Sequence, residues 1–180
     1  MKRFALVVIV FLIGITTGVL LDKNMNIQLP MGFTTSEMSP GSQEEARKKL
    51  AAIGVSFDRM IFFMKVIDGD MLAIQLLLEA GMDPNTSDGG ETVLNMAAKG
   101  HRPEVVKSLL EHGADPNLAA RPGGETPIVS AAEFGNSEIV KLLMAKGANI
   151  NPPNGTRALS QARQQGNQEI VQLLQNAGAR

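Results

Sequence analysis

Gly123 to Asn151 reads GGETPIVSAAEFGNSEIVKLLMAKGANIN, and versions of this stretch stand before and after it in the chain. Its local signals describe two short antiparallel helices. Thr126 followed by Pro127 predicts a helix start, because the hydroxyl can accept from an orphan backbone N–H while proline lacks a donor that would have no partner there. Gly135 predicts the stop of that helix. Asn136 reads as the cap of the second helix, Glu138 suits the positive end of its dipole, and Lys141 and Lys146 lie toward the negative end before Gly147 closes it. Ile128, Ala131 and Ala132 face Ile139, Val140, Leu142 and Leu143 at helical spacing, so both leucines are expected to be buried. Two helices of about eight and ten residues cannot close a core alone, so this apolar face must be covered by the same face of a neighbour.

Alignment on Gly147 finds the neighbours. They are FDRMIFFMKVIDGDMLAIQLLLEAG (Phe57 to Gly81), GGETVLNMAAKGHRPEVVKSLLEHG (Gly89 to Gly113) and NGTRALSQARQQGNQEIVQLLQNAG (Asn154 to Gly178), the first being the weakest match, with Asp58 in place of an opening glycine. The closing glycines Gly81, Gly113, Gly147 and Gly178 are 32, 34 and 31 residues apart. From the opening glycines Gly90, Gly124 and Gly155 to the closing ones the distance is always 23 residues. The variation in length therefore falls between helix pairs, where a loop absorbs it.

This pattern resembles the ankyrin repeat, a β-turn finger followed by two helices with a TPLH-like start and a GA-x-x-N-like end. Thr126-Pro127-Ile128-Val129 with Gly147-Ala148-Asn149-Ile150-Asn151, and Thr92-Val93-Leu94-Asn95 with Gly113-Ala114-Asp115-Pro116-Asn117, carry the resemblance, which covers roughly Phe57 to Arg180. It implies an all-α repeat solenoid of four units over residues 57–180. No unit has the family's histidine in the fourth TPLH column, which holds Phe63, Asn95, Val129 and Ser160.

Composition narrows what such an array can do. With 44% apolar content in 180 residues the chain suits one domain and an extra segment, and a formal net charge of -1 without a basic stripe gives no nucleic-acid signature. No cysteine is present, which excludes disulfides, thiolate metal sites and cysteine nucleophiles. Tryptophan and tyrosine are absent as well, so a binding surface must do without two of the usual hot-spot residues.

The extra segment is N-terminal. Residues 1–21 read MKRFALVVIVFLIGITTGVLL, in which two cations precede 18 residues, Phe4 to Leu21, without charge. That length fits a spanning signal-anchor better than a secretory core of about 7 to 15 residues, and no Ala-x-Ala precedes Asp22; cleavage near Thr16-Thr17-Gly18 is the alternative, giving a soluble secreted or periplasmic product. Lys2 and Arg3 hold the cytoplasmic side, so the rest of the chain is expected to be exported, into the periplasm if the source is bacterial. Residues 22–41, rich in Asn, Pro, Gly, Ser and Thr, read as a flexible linker that spans about 25 Å as a random coil. Residues 42–56 read as an N-terminal capping helix opened by a Ser42 and Glu45 capping box, with Ala46, Leu50 and Ile53 on one apolar face and Gly54 as the stop. At the other end Gln161, Arg163, Gln164, Gln165, Gln168, Gln172 and Gln175 give the fourth unit the polar outer face of a terminal repeat, so the array is expected to end there.

Candidate chemistry is sparse. His101 falls in a helix-end column shared with Gly69, Gly135 and Gly166, and His112 stands just before Gly113 where a cation suits a helix C-terminus; the two fall at different ends of a helix with no third ligand. Gly89-Gly90-Glu91-Thr92 and Gly123-Gly124-Glu125-Thr126 lack the lysine of a phosphate loop and recur as finger turns, while Asp83-Pro84-Asn85 and Asp115-Pro116-Asn117 recur as turn chemistry. Neither nucleophile, base and orienter nor a cofactor or small-molecule site assembles, so the chain is expected to be no enzyme. The resemblance implies instead a module that binds a protein partner outside the cytoplasm, or, more narrowly, an exported accessory or immunity-type protein that shields or inhibits one specific protein. In that family the concave groove is made by the finger tips and by the columns after the TPLH-like start, here Met96, Lys99 and Gly100, then Ser130, Glu133 and Phe134, then Gln161, Gln164 and Gln165. Glu91, Glu125 and the third finger, the longest, enlarged at Arg121-Pro122, join them by the same resemblance. Phe134 beside Glu133 has the pattern of an apolar anchor in a polar rim, the alternative being a ring packed on the next repeat.

Overall fold

The structure is a computed structural model that describes residues 40–151 and 157–179. The uncharged run at 4–21, the linker up to residue 39, the fourth finger at 152–156 and the terminal residue lie outside the described residues. Among the described residues no helix is long and apolar enough to cross a membrane.

Helix α1 spans Pro40–Ala52, and four helix pairs follow: α2 (Arg59–Asp68) with α3 (Met71–Glu79), α4 (Val93–Lys99) with α5 (Pro103–Glu111), α6 (Pro127–Glu133) with α7 (Ser137–Ala145), and α8 (Arg157–Gln164) with α9 (Gln168–Asn176). Local chemistry sets the starts. Asp58 Oδ1 accepts from the amides of Met60 and Ile61 at 2.7 and 3.3 Å, Asp70 Oδ1 from Ala73 at 3.2 Å, and Thr92 Oγ1 from Asn95 at 3.1 Å. The stops share one column. Gly69, Gly135 and Gly166 end the first helices with φ of 75°, 75° and 72°, and His101 takes the same left-handed turn at 53°, alone among the described non-glycine residues.

The first helices α2, α4, α6 and α8 pack side by side as one layer, and α3, α5, α7 and α9 as a second. One apolar cluster runs between the layers, from Phe62, Val66 and Leu77 through Leu94, Leu109, Ile128 and Leu143 to Ile170 and Leu174. Leu142 departs from expectation. Helix α7 turns Ile139, Val140 and Leu143 into the core, and Leu142, at the margin of that stripe, is only partly buried against it.

Two hydrogen-bond ladders hold successive repeats in register. In the first, the asparagine four residues past each closing glycine grips the next closing turn: Asn85 Nδ2 donates to Gly113 O at 3.4 Å and its Oδ1 accepts from Asp115 N at 2.8 Å. Asn117 does the same with Gly147 O and Asn149 N at 3.2 and 2.6 Å, and Asn151 Nδ2 donates to Gly178 O at 3.1 Å. The second ladder runs along the helix turns, where Arg102 donates to Ile67 O at 3.2 Å, Asn136 Nδ2 to Ala98 O, and Asn167 Nδ2 to Ala132 O at 3.2 Å.

These bonds correct two expected caps. Asn136 makes no side-chain cap bond to α7; its Nδ2 donates instead to Ala98 O of the preceding repeat. Thr126 does not cap α6 either: the amides of Val129 and Ser130 go to its backbone carbonyl at 3.0 and 3.1 Å, and its buried hydroxyl has no protein partner. At the N-terminal end α1 begins at Pro40, two residues before Ser42, so Ser42 lies within the first turn and residues 40 and 41 belong to the helix instead of the linker. Ala46 and Leu50 are buried and α1 packs on α3, whereas Ile53 is exposed. At the other end Arg163, Gln164, Gln165, Gln168, Gln172 and Gln175 are exposed and Gln161 is half-buried.

Candidate functional site

The columns after each helix start lie along the layer of first helices, and the second ladder sets them side by side from repeat to repeat. Their centre is Lys99, on the last turn of α4. Its Nζ meets Glu91 Oε1 of its own finger and, at 3.1 Å, Glu125 Oε2 of the next finger. Partial burial pulls the Lys99 ammonium down, but the bonds to the two carboxylates outweigh that and raise it above the usual lysine range.

Glu125 is held from three directions. Asn95, in the column where the family has histidine, donates from Nδ2 to the Glu125 backbone carbonyl at 2.6 Å, and Thr92 Oγ1 steadies Asn95 Oδ1 at 3.2 Å. Ser130 Oγ donates to Glu125 Oε2 at 3.4 Å. Glu133, on the last turn of α6, is pushed up from the ordinary glutamate range by burial and by the adjacent Glu125 carboxylate, with which it hydrogen-bonds. Phe134, the residue after α6, is 45% exposed, and Lys99 Nζ lies 5.9 Å from its ring centroid.

The eight expected partner-binding residues thus divide. Glu91, Lys99, Glu125, Glu133 and Phe134 form one contiguous group. Ser130 is fully buried, so it positions Glu125 and presents nothing to a partner; the helices on either side close over its small side chain. Met96 is half-buried against the core. Arg121 stands apart on the exposed turn of the third finger, where Gly124 N–H donates to the Arg121 carbonyl at 2.9 Å. A Cβ on Gly124 would meet that carbonyl at 2.9 Å, so the turn demands glycine there.

Three exposed residues escaped the sequence reading. Met60, Met64 and Ile67 lie on one face of α2 and are 65, 52 and 54% exposed. Met64 and Ile67 occupy the columns of Met96 and Lys99 one repeat earlier, so the alignment on closing glycines held the signal. They stay open because α1 packs on α3 instead of extending the layer of first helices beyond α2.

Elsewhere the histidines serve structure. His112 Nδ1 lies 2.8 Å from Ser108 O at the end of α5, and His101 makes the left-handed turn after α4. Among the described residues no group of three or more His, Cys, Asp or Glu side chains is arranged to hold a metal ion.

Comparison with known proteins agrees with the architecture. Residues 119–180 match the family described as ankyrin repeats (3 copies), and residues 77–121 match ankyrin repeats (many copies). No curated protein matches the chain.

Proposed function

We propose, since residues 77–180 of this chain belong to the ankyrin-repeat family, that the protein is a protein-protein interaction module whose inner face, from α2 to α6, grips a protein partner. Ankyrin repeats generally serve that purpose. The observation that carries the reading is the exposure of large apolar side chains on columns that stacking leaves over: Met64 at 52%, Ile67 at 54% and Phe134 at 45%. Rimmed by charged residues, they make the apolar centre and polar edge that protein interfaces use. Phe134→Ala is expected to weaken partner capture by more than about 1 kcal/mol with little change in melting temperature. A lowered melting temperature with unchanged binding per folded molecule would place Phe134 in the core instead.

The cations Lys2 and Arg3 ahead of the uncharged run at 4–21 support an uncleaved anchor with the repeats on the exported side, periplasmic in a bacterium. Protease added to opened outer compartments then attacks the repeats while the protein fractionates with membranes. A soluble product starting near Val19 would show a cleaved signal and a free exported protein. The inner face differs from repeat to repeat, apolar on α2, charged on α4 and α6, and glutamine-rich on α8, which favours one dedicated partner over many. That supports the narrower form of the reading, an accessory or immunity-type protein that shields or inhibits one specific protein. A purified sample that changes the partner's activity without turnover of its own would support this form, and binding with no effect on activity would leave a scaffold.

A further inference from the structure

We infer that the notch between α1 and the open edge of α2 takes a short amphipathic helix of the partner, its apolar face on Met60 and Met64 and one of its carboxylates against Arg47. This rests on the reading of α2 as the start of the binding face, and adds the class of partner segment that seats there.

Helix α1 is half of a repeat. Its closing turn is the one that ends every second helix: Val55 N–H donates to Leu50 O at 2.9 Å, as the amides of Met82, Ala114, Ala148 and Ala179 donate five residues back at the same distance. Leu50 is buried as Leu77, Leu109, Leu143 and Leu174 are, each four residues before the glycine of its turn. Helix α1 thus belongs to the layer of second helices, packed on α3, and among the described residues no first helix stands with it. The edge of α2 shows the consequence. Met60 and Met64 are 65 and 52% exposed, whereas Thr92, in the column of Met60, is 1% exposed, and in the column of Met64 Met96 is half-buried and Ser130 closed over, because α2 and α4 stand before them. Elsewhere in this layer the covering element is a helix, so an occupant of the same form fits: about 8 to 10 residues with apolar side chains at i, i+4 and i+7.

Charge sets the rest of its chemistry. Arg47, seven residues before Gly54, takes the column that holds the buried Ile74, Val106, Val140 and Val171 in the complete repeats. Its guanidinium lies 4.7 Å from the ring centroid of Phe57, three residues ahead of Met60, so it borders the methionines at the start of α2. Among the described residues it makes no salt bridge: Glu45 is held by Lys49 at 2.9 Å, and Asp58 accepts from the amides that open α2. A wholly apolar helix would desolvate this guanidinium without a counter-charge, and a carboxylate on the helix supplies one.

Two synthetic helical peptides test this on the purified full chain by fluorescence anisotropy. Both carry leucines at i, i+4 and i+7, and they differ only in whether glutamate or lysine flanks that stripe. The glutamate peptide is expected to bind about tenfold more tightly. Met60→Ser together with Met64→Ser should weaken it about tenfold, and Arg47→Gln should remove its advantage over the lysine peptide, each with an unchanged melting curve. Phe134→Ala should leave peptide binding unchanged, because α4 stands between α2 and α6. Equal affinity of the two peptides for the parent would overturn the assigned chemistry, and binding indifferent to both serine substitutions would overturn the notch. Absence of binding by either peptide would overturn the inference as well. So would a dimer of the chain that is lost on Met64→Ser, or displacement of the glutamate peptide by one of residues 22–39, which would make a second copy or the chain's own segment the occupant. Each of these failures leaves the wider binding face to be decided by partner capture on Phe134→Ala.

Discussion

Asn136 is 6% exposed and donates across the repeat boundary to Ala98 O, so its amide is worth most where water cannot replace it. Asn136→Ala leaves that carbonyl without its donor and should destabilise the array by about 1 to 3 kcal/mol, read from the urea midpoint. A loss below about 0.5 kcal/mol would mean that the bond is marginal. Glu133 gives a second residue-scale prediction, with a definite sign. Burial and Glu125 raise its folded pKa above the unfolded glutamate value, against the opposing pull of the nearby Lys99 ammonium. The stability tied to its protonated form is therefore full below the ordinary glutamate range and is lost as pH rises through the raised folded value. Glu133→Gln should melt higher than the parent at neutral pH and converge with it in acid. Parallel curves across that range would show that the folded pKa of Glu133 is not raised.

At the scale of elements, α7 separates two leucines that sequence spacing treats alike. Leu143 is fully buried and Leu143→Ala should cost about 2 to 5 kcal/mol, whereas Leu142, only partly buried, should cost less. Equal losses in thermal or urea unfolding would contradict the assigned rotation of α7. Much of this scale was legible beforehand. Repeat boundaries, the glycine and His101 stops, and the turn chemistry at Asp83, Asp115 and Asn149, whose side chains accept from Asn85, Asn117 and Asn151 at 2.8, 2.8 and 2.9 Å, are set by neighbours close in sequence. The ladders were not legible, because Asn136 and its acceptor are 38 residues apart and nothing local separates a cap from a bond to the previous repeat. Ser130 and Met64 were missed for a related reason: whether a groove column is open depends on what packs beside it. Neighbouring repeats close over Ser130, and among the described residues no helix continues the first layer ahead of Met64.

On the scale of the whole molecule, each repeat contacts its neighbours, and function depends on a surface no single repeat contains. Lys99 joins the second and third repeats, Met64 and Ile67 extend the face to the first, and the glutamines of α8 carry it on without apolar anchors. Loss of contact in any one repeat should weaken the shared face. The direct test places a photo-reactive amino acid at Met64 or Phe134 on the inner face, and at Lys107 or Lys141 on the second-helix layer, in the full-length protein in intact cells. The inner positions should yield the same discrete protein adduct and the outer positions none. Adducts of equal yield from both layers, or from the outer positions alone, would contradict a binding function for the inner face.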